Sequence, residues 1–211
     1  MSILPQLEHN KGTVSSALGK SLAKKVLAGE GAILEEAVTL LAHDSKNVRA
    51  GAAKIVEQVA LAEPSLVVAF LPRLLPALEV TEPQTRWMAI HTLGLCAALD
   101  TPTALAALPQ AEDFMRGDSG ACLWGSTITY LGHLGATSEA NARAVWPLLE
   151  QALRDIPKQT KNVLESFLRM LDQTDDRMRA EIAQYAHTYA QNQQPSVRTA
   201  ARKIEKKLGE R

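Results

Sequence analysis

Five histidines, two cysteines and three tryptophans are the side chains here best suited to metal binding, nucleophilic chemistry or recognition of a flat ligand. The histidines, His9, His43, His91, His133 and His187, form no HxxH, HExxH or His-Glu pair with ligand spacing, so no metal centre is expected. Cys96 and Cys122 both lie in apolar helical stretches and read as buried, reduced thiols rather than a disulfide. No GxSxG elbow, phosphate-binding loop or dinucleotide glycine pattern occurs. No catalytic residue is assigned and no cofactor is expected.

Trp87 and Trp124 are different, because they stand 37 residues apart and that interval recurs. Counting from Val48 in steps of 37 or 38 reaches Thr85, Cys122, Thr160 and Val197. The residues that follow are Arg49, Arg86, Leu123, Lys161 and Arg198, four of them basic. A polar turn leads into each, most clearly over residues 44–60, and a helix with small and branched apolar residues follows. A fixed period of this length marks a stacked array of helix pairs, in which each unit buries its apolar face against its neighbours.

The elements that must hold these residues follow from three-and-four apolar spacing and from the turn residues. Thr13 can cap a sealing helix over 13–28 that ends at Gly29 and Gly31. Five pairs follow at 32–62, 65–99, 101–135, 138–172 and 175–208, making residues 1–211 a single repeat domain. Pro72 and Pro76 predict a kink or break in 65–79, and Pro109 interrupts the first helix of the third pair. The helix over 119–134 contains Gly125, Gly132 and a β-branched run, so its neighbours must stabilise it.

Lys and Arg number 23 and Asp and Glu number 23, and a net charge of zero disfavours a dedicated nucleic-acid binder. The balance is uneven along the chain. Residues 60–155 carry five basic side chains against ten acidic ones, whereas the tail from Pro195 carries six basic and two acidic. The N-terminal segment lacks the pattern of a signal peptide and no window is apolar enough for a membrane span. With reduced thiols, this gives a cytoplasmic expectation.

An apolar first helix, a polar or acidic turn, then Val-Arg and a small-residue helix resembles the HEAT-like repeat family. LEEAVTLLAHDSKNVRAGAAKIVEQVA carries the resemblance best, and it extends over about residues 30–208. It implies an all-α, right-handed solenoid of about five helix pairs. It also implies a ladder in which turn acids meet the basic residue of the second helix, with Asp44/Arg49 and Asp155/Lys161 as the pairs and Arg86 and Arg198 continuing the column. Second helices in such arrays line a concave surface. Trp87 and Trp124 there would anchor a protein or peptide partner, edged by Lys54, His91 and Asn162, or would simply fill gaps between repeats. A neighbouring column of Lys54, His91, Ile128, Ser166 and Lys203 would border that patch if exposed. The expected function is a non-enzymatic interaction scaffold. The alternative is a HEAT-like DNA-binding protein or a DNA glycosylase that excises alkylated bases, using Trp87, Trp124, Arg86, Lys161, Arg198 and Asp118.

Overall fold

The computed structural model describes residues 2–9, 16–117 and 119–210; Thr13 and Asp118 lie outside them. The chain is all-helical, with no strand among the described residues. It divides into two compact units, Met1–Gln110 and Ala111–Arg211.

The first unit is built around α4 (Lys46–Ala62). Packed against it are α1 (Leu4–His9), α2 (Ser16–Leu27), α3 (Gly31–Leu40) and α5 (Pro83–Leu95). A helix with so many neighbours cannot carry bulk on every side. The run Ala50-Gly51-Ala52-Ala53 is buried, and a Cβ placed on Gly51 would lie 2.8 Å from Leu7 Cδ2. Gly19 on α2 likewise lets that helix approach the Lys54 side chain, whose Cγ would lie 2.7 Å from an added Cβ. Alanine and glycine here set the distance between helices, as the scarcity of aromatics implies.

Between α4 and α5 the chain winds as 3-10 helix, over Pro64–Leu66 and then Val68–Leu78. Pro72 and Pro76, one α-turn apart, each remove an N–H and would clash with the carbonyl four residues earlier. The result is a change of winding along the whole segment rather than one kink, and Leu71, Leu74, Ala77 and Leu78 still reach the core. The unit ends with the short α6 (Thr101–Leu105), capped by Asp100, whose side chain accepts the Thr103 N–H at 3.1 Å.

α7 (Leu108–Arg116) carries the boundary between the units and places Pro109 in its first turn, where the missing N–H costs nothing. The second unit continues with α8 (Gly120–Gly135), α9 (Glu139–Asp155), α10 (Thr160–Met170), α11 (Asp176–Tyr189) and α12 (Pro195–Gly209). Ser138 and Asp175 cap α9 and α11, accepting the N–H groups of Asn141 and Met178. α9 stays α-helical through Pro147, the residue two periods after Pro72. One proline is tolerated where two in adjacent turns are not.

α8 and α10 pack closely, and Gly132 is the reason. A Cβ there would lie 2.5 Å from the Cβ and 2.7 Å from the Cα of Ser166, whose hydroxyl donates to the Ile128 carbonyl at 2.9 Å. The glycines that weaken α8 as an isolated helix are therefore what allow its neighbour to stabilise it. Trp146 and Phe167 pack with ring centroids 5.0 Å apart, and Phe167 stacks on Tyr185 at 5.9 Å. Trp146, which periodicity does not single out, is a core residue of this unit.

Candidate docking residues and the inter-helix turns

The arginines at the starts of the second helices each reach back to backbone carbonyls. Arg49 donates from Nη1 to the carbonyls of His43 at 2.7 Å and Asp44 at 2.9 Å. Arg198 does the same to Asn192 and Gln193, and Arg86 to Thr81. Carbonyls left unpaired where one helix ends and the next begins are thus satisfied by a guanidinium reaching back across the turn. The expected acid-to-base ladder needs correcting on this point. Arg49 takes the Asp44 carbonyl, while its carboxylate partner is Glu82, by two bonds of 2.6 and 2.8 Å from Nη2 and Nε. Lys161 pairs with Glu165 on its own helix at 2.8 Å, not with Asp155.

The Arg49–Glu82 pair joins α4 to the cap position of α5 and is largely dry, with side chains 15% and 6% exposed. Burial pushes the Glu82 carboxyl up, but hydrogen bonds from Arg49 and Thr85, a backbone bond and the Arg49 charge outweigh it and bring it below its ordinary range. The Arg49 guanidinium is correspondingly raised, chiefly by its bond to Glu82.

Leu123 breaks the basic column, and burial shows why it is leucine. Thr85, Ala89, Ile90, Thr92, Leu93 and Gly94 are buried in α5, and the matching buried set in α8 is Leu123, Thr127, Ile128, Tyr130, Leu131 and Gly132. That offset is 38 residues, one more than the 37 counted from sequence. The extra residue lies somewhere between α5 and α8, and α8 itself opens on Gly120 with φ +76°, in the left-handed region that favours glycine. Leu123 therefore fills the buried slot of Val48, Thr85, Thr160 and Val197, and Cys122 is turned out to solvent. The expectation of two buried thiols holds for Cys96 alone, where burial raises the thiol to about 12.

By the same shift Trp124 occupies the slot of Arg49, Arg86, Lys161 and Arg198, while Gly125 answers to Trp87. The two indoles are not equivalent residues. Trp124 even performs the arginine's task, its Nε1 donating to the Gly117 carbonyl of the preceding turn at 3.2 Å. Both rings are half-buried.

Lys54 and His91, expected at the polar edge of a docking patch, converge on a residue that periodicity passes over. Glu57 on α4 is buried and accepts from Lys54 Nζ at 2.7 Å and from His91 Nδ1 at 2.8 Å. An ionised carboxylate only accepts, so Nδ1 of His91 carries the hydrogen. Desolvation works to raise Glu57, but its two partners overcome it and the carboxyl is lowered. Ile128 and Ser166, in the same column, are buried, whereas Lys203 is exposed. Asn162 is half-buried and donates to Gln159, which in turn donates to the Ala121 carbonyl at 2.8 Å.

Clefts open beside the inter-helix turns. In the second unit a cleft of about 340 Å³ lies between the C-terminal ends of α7 and α9, with Trp124 on its wall beside Arg116, Gln151 and Asp155. Among the described residues no cluster of three His, Cys, Asp or Glu could hold a metal ion, and no helix is long and apolar enough to cross a membrane.

No family model matches the chain, and no curated protein matches its sequence. Its backbone is similar to solved structures that include designed repeat proteins. An engineered protein matches with a TM-score of 0.69 over 98% of this chain and 97% of that one, at 13% identity. A computationally designed armadillo repeat protein for modular peptide recognition matches at 0.67 over 90% and 89%, at 14% identity. A designed armadillo repeat protein in complex with the peptide (KR)4 matches at 0.69 over 97% and 99%, at 12% identity. With a period of 37 or 38 residues in its sequence and a backbone similar to designed armadillo repeat proteins, the chain has an all-α helical-repeat fold.

Proposed function

We propose that this chain is a non-enzymatic scaffold that docks a peptide segment of another protein on the face formed by its second helices, in one continuous array of five helix pairs. The observation that carries the reading is Trp87. It is a half-buried indole at the start of α5, on a helix otherwise rich in buried small and branched residues. Aromatic side chains held in this way supply apolar area at little entropic cost and dominate many interfaces. Two solved proteins of similar fold are described as made for peptide recognition or as bound to a peptide, which supports the same use here. Helix pairs fix such a surface before the partner arrives, so less order has to be created on binding.

The arrangement gives the DNA glycosylase alternative no comparable support. Arg86 and Arg198 spend donors on their own turns, and Lys161 is engaged by Glu165.

Panning a display library of unstructured peptides against the purified chain tests the proposal. Selected peptides should bind Trp87→Ala at least tenfold more weakly than wild type, with the helical circular dichroism unchanged. Equal affinity for both proteins would sink the use of this face. Release of alkylated bases from duplex DNA would replace the scaffold reading with the enzymatic one.

A further inference from the structure

We infer that the cleft between the ends of α7 and α9 receives the cationic side chain, arginine or lysine, of a basic peptide partner. This rests on the scaffold reading but concerns a different place, the turn edge of the second unit rather than the face of the second helices. Three independent features of the cleft converge on a cation.

The first is aromatic. Trp124 lines the cleft and its indole N–H is bonded to the Gly117 carbonyl, so the ring is held in place. An indole face attracts guanidinium and ammonium groups. The second is the direction of the helices. Both α7 and α9 present their C-terminal residues to the cleft, Met115 and Arg116 from one and Gln151 and Asp155 from the other. Helix C-termini carry partial negative charge and favour cations.

The third feature is the side-chain charge. Asp155 is exposed at the cleft. Arg116 would oppose a cationic ligand, but it is already paired with Glu112 at 2.8 Å and Asp113 at 3.4 Å on its own helix. Glu112 and Asp113 thus offset the Arg116 charge, and Asp155 is the carboxylate on the cleft wall. Arg154, the next basic group along α9, lines a separate cleft with Tyr185 and Tyr189. Gln151 supplies an amide oxygen that can accept from the head of the ligand, and Met115 and Ile156 give apolar surface for its methylene stem.

The test uses the whole chain, labelled with 15N, and two capped octapeptides, one alternating Lys and Arg and one of glutamate. The indole Nε1–H resonance of Trp124 is identified as the one missing from Trp124→Phe. On adding the basic peptide it should shift in a saturable way, while the glutamate peptide leaves it in place. Asp155→Asn should weaken binding threefold to tenfold, and Trp124→Leu by tenfold or more. A basic peptide that binds but leaves the Trp124 resonance unmoved would overturn the cleft while leaving the scaffold reading intact. So would binding that Trp124→Leu and Asp155→Asn do not weaken, because charge alone would then explain it. No binding of the basic peptide at all would also overturn it. The scaffold reading fails separately, if library panning yields no peptide that depends on Trp87.

Discussion

Glu57 is the residue whose environment differs most from what its place in the sequence implies. In α4 it reads as one polar residue among alanines and valines, yet it is only 6% exposed and joins Lys54 to His91 on α5. Burying a carboxylate is tolerable only because both partners donate to it. Glu57→Gln keeps the shape and loses the charge, and should cost about 1–3 kcal/mol at neutral pH in urea unfolding. The pH dependence has a definite sign. The folded-state carboxyl lies below its ordinary value of 4.5, so its stabilisation is fully present above that value and is lost as pH falls through the folded one. The stability gap between wild type and Glu57→Gln should therefore close as pH falls below 4.5. A gap that stayed constant across this window would remove the ion cluster as the cause.

At the scale of elements, helix spacing is set by what is absent from the side chains. Gly132 allows α8 to lie against the backbone of Ser166, and the nearest atoms to an added methyl include a Cα that cannot rotate away. Gly132→Ala should raise the intrinsic helix propensity of α8 and still destabilise the protein by about 1–3 kcal/mol, the usual cost of overpacking. Gly31 opens α3 with nothing within 4 Å of an added methyl, so Gly31→Ala should be neutral or stabilise by about 0.5 kcal/mol. Thermal unfolding of the two variants separates the effects; a stabilised Gly132→Ala would mean that propensity, not packing, governs α8. The 3-10 segment Val68–Leu78 and the unbroken α9 make the companion point about proline. Its effect depends on whether the adjacent turn carries another.

For the whole molecule, the continuous array proposed above has a direct test in its tryptophans. Trp87 belongs to the unit Met1–Gln110, and the buried Trp146 to Ala111–Arg211. Neighbouring repeats in an array stabilise one another, so units that belong to one array should unfold together. Two single-tryptophan variants, one keeping Trp87 and one keeping Trp146, should show urea midpoints that coincide once each is corrected for its own stability. Two separated transitions would show that each unit folds alone and that the array is interrupted near α7.

Much of this protein is legible in its amino-acid order. Periodic apolar positions and turn residues determine that the chain is helical and repeated, because the 3.6-residue period and the recurrence of Val-Arg after a polar turn are local properties of the sequence. Lys46–Ala62 is the helix that the pattern around residues 44–60 implies. The register of individual side chains is not local. One additional residue between α5 and α8 moves Leu123 inward, Cys122 outward and Trp124 into the slot of an arginine, and only the packing of α8 against α10 reveals which count is right. Partners of charges are hidden for the same reason. Asp44 is near Arg49 in sequence, but Glu82 is the carboxylate that tertiary structure delivers to it, 33 residues away. Sequence determined which residues could form a repeating helical core. Tertiary structure decided which faces they present, because a one-residue change of register turns a helix by about 100° and carries residues across the edge of its buried face.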